Sequence, residues 1–175
     1  MTEVILVDEN DKQVGFMDKV TAHLGAGSLH RAFAAFVFNS KGELLVTRRS
    51  VEKMLWPLFL DNTCSSHPPQ HESYEAAGES RLSEELGFTC HLEIADRFQY
   101  SDKFDNIGSE NELCTTLIGE YDGEIYPVAS EIADYRWMSV DDIKTDMSHQ
   151  PKKYTKWFKI ALNRLIESGR IKQED

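Results

Sequence analysis

Residues 31–39 constrain the fold of this chain most, because they form an almost wholly apolar run. A strand with one face in water alternates apolar and polar residues, whereas a strand covered on both faces need not do so. The run therefore predicts a strand that is buried on both faces. Ser40-Lys41-Gly42 then predicts a turn, and we expect residues 43–49 to run back as the partner strand.

Two helices are indicated by their end residues or by their apolar spacing. Pro68 and Pro69 disfavour a helix, after which Ser73 predicts an N-cap and Gly87 a left-handed residue after the last turn. Gly78 inside this helix costs about 1 kcal/mol relative to alanine, which a closely packed neighbour would explain. A terminal amphipathic helix is predicted by Tyr154, Trp157, Phe158, Ala161 and Leu165.

Shorter elements are predicted elsewhere in the chain. Residues 4–7 and 13–16 favour an opening hairpin. Residues 98–101 and 110–121 are typical of two strands separated by a polar loop. A short helix is expected to begin at Ser139, whose hydroxyl can cap its first turn.

Charge and composition limit the partners and the compartment. A formal net charge of -11 argues against nucleic acid, because phosphate backbones are bound by basic surfaces. No apolar run approaches the roughly 20 residues that cross a bilayer, so we expect no membrane partner. The first residues lack a signal peptide and the three cysteines lack framework spacing, so we expect a cytoplasmic protein. Its length favours a single domain spanning residues 1–175.

Two glutamates indicate a metal site. Glu110 and Glu112 lie two apart on a predicted strand, so both side chains point to the same face. If that face is buried, two like charges require a cation or a shared proton. A divalent metal held by imidazoles and carboxylates meets this requirement, and the chain has six histidines. A solvated pair on an edge strand is the alternative.

Positive side chains gather at a strand end and in the loop that follows. Arg48 and Arg49 end a predicted strand, and Lys53 lies in the next loop. Guanidinium groups bind phosphate through two parallel hydrogen bonds, and lysine adds a point charge. The pattern is compatible with a small phosphorylated ligand. Arg81 stands four residues before Glu85, so a surface ion pair is the simpler alternative for Arg81.

Several ordered segments along nearly the whole chain resemble one known family. They are residues 21–23, 29–33, 44–49, 56–57, 62–68, 84–87 and 110–114, and the most distinctive ones read LLVTRR, NTCSSHP, EELG and ENELC. With these segments the chain resembles type 1 isopentenyl-diphosphate isomerases, a branch of the Nudix fold. The resemblance implies an α/β fold, namely a Nudix-type α/β/α sandwich with a central mixed β-sheet.

The resemblance also implies a reaction and its metal ions. The family moves a double bond between isopentenyl and dimethylallyl diphosphate by adding a proton at one carbon and removing one from another. The implied ligands of a divalent metal, which is Mn²⁺, Zn²⁺ or Mg²⁺, are His23, His30, His67, Glu110 and Glu112. Glu85 is the implied ligand of a Mg²⁺ ion that bridges the diphosphate. The small-molecule partner is then a prenyl diphosphate, and we expect a monomer.

The remaining site residues follow from the same resemblance. The implied diphosphate-binding cations are Lys19, Arg49, Lys53 and Arg81. The implied catalytic residues are Ser65, Glu112, Tyr100 and Trp157. Glu112 carries a proton, and Tyr100 lies near the reacting carbons. The ring face of Trp157 stabilises a carbocation by cation-π attraction, although helical periodicity alone makes Trp157 a core residue.

Ser65 departs from the family pattern. The family has a catalytic cysteine two residues before the metal-binding histidine, and that position before His67 is Ser65. Cys64 is one residue away on an extended segment and is therefore expected to point to the opposite face. A thiol titrates near about 8.5, whereas a serine hydroxyl is a far weaker acid and needs an adjacent base. We therefore expect slow isomerisation.

Two other functions stay open at this point. A Nudix diphosphate hydrolase is favoured by Glu72, Glu84 and Glu85, which match glutamates of the Nudix sequence motif. It is disfavoured by Arg81, which stands where Nudix hydrolases carry the first glutamate of their magnesium-binding cluster. A low-activity or non-catalytic binder of prenyl diphosphates is favoured by Ser65.

Overall fold

A nine-stranded mixed β-sheet organises residues 2–171, which are the residues that the computed structural model describes. The strands are β1 (Glu3–Val7), β2 (Gln13–Asp18), β3 (His30–Phe38), β4 (Leu44–Arg49), β5 (Leu60–Asp61), β6 (Cys64–Ser66), β7 (Leu92–Phe104), β8 (Gly108–Glu120) and β9 (Ile132–Met138). The helices are α1 (Lys19–Ala22), α2 (Tyr74–Leu86), α3 (Val140–His149) and α4 (Lys156–Glu167), and a 3-10 turn covers Pro151–Lys153.

Strand β3 lies at the centre of the sheet and is buried on both faces. Phe33 and Val37 pack in a cluster with the apolar side of α2. Ala34 and Phe36, which point the other way, pack in a second cluster with α4. The sequence-based prediction for residues 31–39 is confirmed, and the α/β/α sandwich with a central mixed sheet is confirmed with it.

The prediction that residues 43–49 run back as the partner of β3 is confirmed only at the start of that strand. β4 pairs with β3 only at Phe38 and Leu44, and its main partner is β9. β8 occupies one edge of β3 along its whole length in parallel register. The other edge is shared by β1, β6 and the start of β4, so β4 diverges after the turn. β9, which sequence patterns did not predict, pairs along the edge of β4 that faces away from β3.

Helix α2 has the predicted ends. The Ser73 hydroxyl accepts a hydrogen bond from the Ala76 amide at 3.1 Å, and Gly87 adopts a left-handed φ of 72°. A Cβ at Gly78 would lie 2.6 Å from a methyl of Leu92 and 2.7 Å from a methyl of Leu117. The close neighbour expected at Gly78 is therefore the β7–β8 hairpin.

The β7–β8 hairpin is much longer than the two predicted strands, with 13 residues in each arm. Its register places Tyr100 opposite Glu112. The parallel pairing of β3 with β8 places His30 opposite Glu112 on the other side. Tyr100, Glu112 and His30 thus form one row across three adjacent strands. This row, which we call the site row, is where the functional side chains gather.

The remaining predicted elements are present. β1 and β2 form the opening antiparallel hairpin, Ser139 caps α3 through the Asp142 amide, and α4 is the terminal amphipathic helix. The three cysteines are free thiols. Within residues 2–171, every helix is too short or too polar to cross a bilayer.

Candidate active site

A cavity of about 290 Å³ lies against the site row. It is lined by side chains from α1, β3, β4, β6, β7, β8 and α4 and from the loop after β4. The four expected catalytic residues, Ser65, Tyr100, Glu112 and Trp157, all line it. The sheet register and the start of α4 therefore bring together residues that are far apart in the chain.

Five expected metal ligands form a tight group beside the cavity. One ligand atom from each of His23, His30, His67, Glu110 and Glu112 lies within 4.8 Å of all the others. The Nε2 atom of His23 is 2.9 Å from Glu110 Oε2, and the Nε2 atoms of His67 and His30 are 3.2 and 3.5 Å from Glu112 Oε1. Glu110 and Glu112 do share a buried face, as their spacing predicted.

Backbone carbonyls orient two of these histidines. His23 Nδ1 donates to the Lys19 carbonyl at 2.6 Å, and His30 Nδ1 donates to the Ser28 carbonyl at 2.7 Å. Both rings therefore turn Nε2 towards the glutamates, which is how protein ligands are oriented around metals. His30 Nε2 and Glu110 Oε2 are buried and make no hydrogen bond. His23 Nε2 lies 2.9 Å from Glu110 Oε2, but in the neutral ring it carries a lone pair, because the ring proton is on Nδ1. Such unpaired polar atoms fit a divalent cation with nitrogen and oxygen ligands.

Protonation in this group follows burial and neighbouring charge. Burial, with the neighbouring His30 and Lys19, lowers the pKa of His67 well below its ordinary value, which keeps an imidazole lone pair available. Burial opposes ionisation of Glu112, but contacts from His30 and Tyr100 outweigh it and lower the pKa of Glu112. Burial and the Glu112 charge raise the pKa of Tyr100 well above its ordinary value. The Tyr100 hydroxyl therefore keeps its proton, which it donates to Glu112 Oε2 at 2.6 Å.

Ser65 and Cys64 lie on different sides of β6. Ser65 lines the cavity, and its hydroxyl donates to Asn62 Oδ1 at 3.0 Å. Cys64 is 3% exposed and packs in the cluster beneath α2. Burial and the nearby Glu85 charge raise the pKa of the Cys64 thiol well above its ordinary value. The thiol is therefore placed and protonated like a core side chain, as alternation along an extended segment predicted.

The expected diphosphate-binding cations divide into two groups. Lys19, Arg49 and Lys53 line the cavity. Arg81 does not line it, because its guanidinium pairs with Glu85 and with Glu84 on the same helix. The ion pair suggested by the Arg81 and Glu85 spacing is thus present.

Glu131, just before β9, joins these two groups of cations. One carboxylate oxygen pairs with Lys53, and the other lies 3.6 Å from Arg81. Glu131 and Glu85 line a narrow cleft next to the main cavity, together with Lys53 and Ser65. Sequence reasoning missed Glu131, because an isolated glutamate in a loop carries no spacing signal.

Aromatic rings close one side of the cavity. Trp157 is 3% exposed, and its ring centre lies 5.4 Å from Trp56 and 6.0 Å from Tyr100. The guanidinium carbon of Arg49 lies 5.3 Å from the centre of the Trp157 ring. Trp157 also belongs to the cluster around α4. Trp157 is therefore a core residue by packing and a cavity residue by position.

Comparison with known proteins identifies the class of this fold and site. The NUDIX domain model matches residues 28–158. Solved structures agree on the fold: DR0079 from Deinococcus radiodurans superposes with a TM-score of 0.69 at 22% identity, over 85% of this chain and 90% of that one. A MutT protein from Methanosarcina mazei Go1 gives 0.65 at 18% identity, over 81% and 95%. The chain is a Nudix protein.

Curated relatives narrow the class. The chain is 37% identical over 161 residues to the isopentenyl-diphosphate Delta-isomerase of Burkholderia multivorans, covering 92% of this chain and 91% of the relative. It is 38% identical over 165 residues to the enzyme of the same name from Pectobacterium atrosepticum, covering 94% and 92%. Within the Nudix proteins, the chain belongs to the isopentenyl-diphosphate Delta-isomerase family. The resemblance seen in its sequence segments is confirmed.

Proposed function

We propose that this protein interconverts isopentenyl diphosphate and dimethylallyl diphosphate, with residues 1–175 acting as a single Nudix-like isomerase domain. The observation that carries the proposal is the hydrogen bond from the Tyr100 hydroxyl to Glu112 inside the cavity. An isolated alkene is a weak base, so its protonation needs an acid held in place and shielded from water. Membership of the family supports the same reaction.

The group formed by His23, His30, His67, Glu110 and Glu112 would hold one divalent metal, which is Mn²⁺, Zn²⁺ or Mg²⁺. When bound, such an ion supplies positive charge that makes the neighbouring carboxylic acid a better proton donor. The protein side chains would position the substrate and transfer the protons. Tyr100 keeps the Glu112 carboxyl group facing the cavity. A lowered pKa leaves Glu112 ionised in the free protein, so Glu112 would take up one proton from water before the substrate fills the cavity and would then pass it to the terminal alkene carbon.

Protonation of the alkene leaves a tertiary cation that must be stabilised until a second proton departs. Trp157 lines the cavity with a ring face of the kind that attracts cations, worth about 2 kcal/mol or more when water is excluded. The diphosphate would be held by Lys19, Arg49 and Lys53 on the cavity wall. In the adjoining region, Arg81 would contact the diphosphate and Glu85 would hold a Mg²⁺ ion, which would supply positive charge to the diphosphate.

The second proton transfer is where we expect the reaction to be slow. Ser65 occupies the position of the family's cysteine, and its hydroxyl hydrogen is donated to an amide oxygen of Asn62. An amide is too weak a base to accept the proton, so Ser65 gains no activation from it. A proton leaving the substrate would pass through Ser65 to water or a carboxylate.

Proton NMR of isopentenyl diphosphate incubated with the protein, Mg²⁺ and Mn²⁺ in D₂O tests the proposal. We expect dimethylallyl signals and deuterium in the product methyl group, without release of inorganic phosphate in the phosphorus spectrum. The Ser65→Cys variant should raise kcat by about tenfold to a hundredfold, because general acid–base groups contribute about 10² to 10⁴. Cys64→Ala is the matched control on the other side of β6, and its kcat should stay close to that of the unchanged protein.

Other outcomes identify the alternatives. Phosphate release without isomerisation would indicate a Nudix diphosphate hydrolase. Magnesium-dependent binding with no turnover by either the unchanged protein or Ser65→Cys would indicate a prenyl-diphosphate binder. Either result, with folding verified by circular dichroism, would reject the isomerase function.

A further inference from the structure

We propose that Asp61 is a positioning residue, whose carboxylate holds Arg49 and the start of α4 so that Trp157 faces the cavity. This role rests on the isomerase function proposed above. Asp61 does not line the main cavity. Its role would be exerted through the residues that it contacts, and the contacts lead to Trp157 by two separate routes.

The carboxylate of Asp61 is buried and fully engaged. Asp61 is 3% exposed. Its Oδ2 accepts from Arg49 Nη1 at 3.0 Å, and its Oδ1 accepts from the Thr155 hydroxyl and from the Asn62 amide, both at 2.9 Å. Removing a carboxylate from water is costly unless charged and hydrogen-bonding partners compensate. Each partner of Asp61 is therefore held at a defined place.

The first route to Trp157 runs through Arg49. Besides its contact with Asp61, Arg49 donates from Nε to the Trp56 carbonyl and from Nη2 to the Leu55 carbonyl, each at 3.0 Å. Trp56 has a φ of 47°, which a non-glycine residue adopts only when its surroundings hold it there. Arg49 and Trp56 both contact the Trp157 ring. Asp61 thus fixes the guanidinium that holds the rings together.

The second route runs through Thr155, the N-cap residue of α4. Ser73 and Ser139 cap α2 and α3 by accepting a hydrogen bond from a first-turn amide. Thr155 makes no such bond, and its hydroxyl instead donates to Asp61 Oδ1. A stabilising cap is forgone, and the first turn of α4, which carries Trp157, is tied to Asp61.

A carbocation is present only around the transition state, so the placement of Trp157 should affect kcat more than substrate binding. Loss of the Asp61 charge should loosen both routes at once. Asp61→Asn keeps the size and shape of the side chain while removing the charge. It is therefore the substitution that isolates the positioning role.

The experiment measures kinetics and ring environment together in Asp61→Asn. We expect kcat to fall by about tenfold or more. KM for isopentenyl diphosphate should change by less than about threefold, because Lys19 and Lys53 on the cavity wall would still hold the diphosphate. With 5-fluorotryptophan incorporated, the fluorine NMR signals of Trp56 and Trp157 should shift. The signal of Trp137, which packs in the cluster beneath α2, should stay in place. Single Trp→Phe variants assign the three signals.

Two sets of variants serve as controls. Asp146→Asn removes a carboxylate that accepts from the Tyr154 hydroxyl at 2.7 Å, just before α4, and it should change neither kcat nor the signals. Thr155→Ser keeps the hydroxyl and should keep kcat, whereas Thr155→Val should lower it. Since both routes depend on one carboxylate, the double variant Asp61→Asn with Thr155→Val should be hardly slower than Asp61→Asn alone.

Several results would overturn the positioning role. These are an unchanged kcat in Asp61→Asn, a rise in KM alone, or a shift of all three fluorine signals, which would indicate general loosening. If Asp61→Asn does not fold, equal kcat values for Thr155→Val and Thr155→Ser would overturn it. Failure of the proposed isomerase function gives a different result, because neither the unchanged protein nor Ser65→Cys would then produce dimethylallyl diphosphate. Even in that case, unmoved fluorine signals of Trp56 and Trp157 in Asp61→Asn would reject the positioning role of Asp61.

Discussion

The group of three histidines and two glutamates beside the cavity differs from the acidic last turn of α2 in how its carboxylates are partnered. Glu110 and Glu112 face imidazoles, and one carboxylate oxygen and one imidazole nitrogen are buried without a hydrogen bond. Glu84 and Glu85 face the guanidinium of Arg81, which pairs with both. The buried carboxylates in the first region lack a permanent positive charge, whereas the carboxylates in the second, of which only Glu85 is buried, already have one.

The difference separates two ways of using a metal. A buried carboxylate pair with unpaired ligand atoms favours a resident cation. A carboxylate already neutralised by arginine gains less from a cation, so a metal there needs a diphosphate to supply further negative charge. On the proposed function, the acidic last turn of α2 would therefore bind a diphosphate rather than cleave it.

The largest expected effect tests the histidine and glutamate group. Glu112→Gln keeps the shape of the side chain but removes the charge proposed to bind the metal and the group proposed to carry the proton, so kcat should fall by about 10³-fold. Stopped assays by NMR would measure the rate, and circular dichroism would check folding. Glu120→Gln, an exposed substitution on the same strand, is the control. A fall of less than about tenfold would mean that the acid lies elsewhere.

A smaller effect is expected from the acidic turn. Glu85→Gln should raise the Mg²⁺ concentration needed for half-maximal rate by about 10- to 100-fold, as loss of a metal partner typically does. The rate at saturating Mg²⁺ should fall much less than in Glu112→Gln. Titration of the rate with Mg²⁺ at fixed substrate measures this. If Glu85→Gln and Glu112→Gln lose the same fraction of kcat and added Mg²⁺ restores neither, the two regions do not differ in how they use a metal.

The smallest effect concerns Glu131, which links the two regions through Lys53 and Arg81. Partly exposed ion pairs contribute about 0–1 kcal/mol. Glu131→Gln should therefore lower KM for the substrate by about two- to threefold, because the diphosphate no longer competes with a carboxylate for these cations. Initial rates over a range of substrate concentrations measure KM and kcat. A higher KM would show instead that Glu131 holds the cations in place for the ligand.

Local signals in the sequence predicted much of the fold. The burial of β3, the ends of α2 at Ser73 and Gly87, and the shared face of Glu110 and Glu112 all depend on residues close together in the chain. The pairing of β4 with β9 does not, because strand partners are chosen by competition for edges across the whole sheet. β9 also contains Asp134 and Arg136, which weaken its strand pattern.

The candidate site was predictable in a more uneven way. Spacing indicated a metal at Glu110 and Glu112, but only resemblance to a family selected His23, His30 and His67 from the six histidines. No sequence pattern indicated that Asp61 or Glu131 contacts the site. Their importance comes from contacts with side chains that are distant in sequence, and those contacts exist only in the folded chain.

The site row joins residue 30 to residues 100 and 112 across three strands whose register must be correct to the residue. A slip of one position would turn the Tyr100 or Glu112 side chain to the other face of the sheet. Closing such long loops is among the slower events in folding. Turnover should therefore begin only when β3 and β8 have joined in register, so that the appearance of product during refolding reports the formation of this long-range pairing.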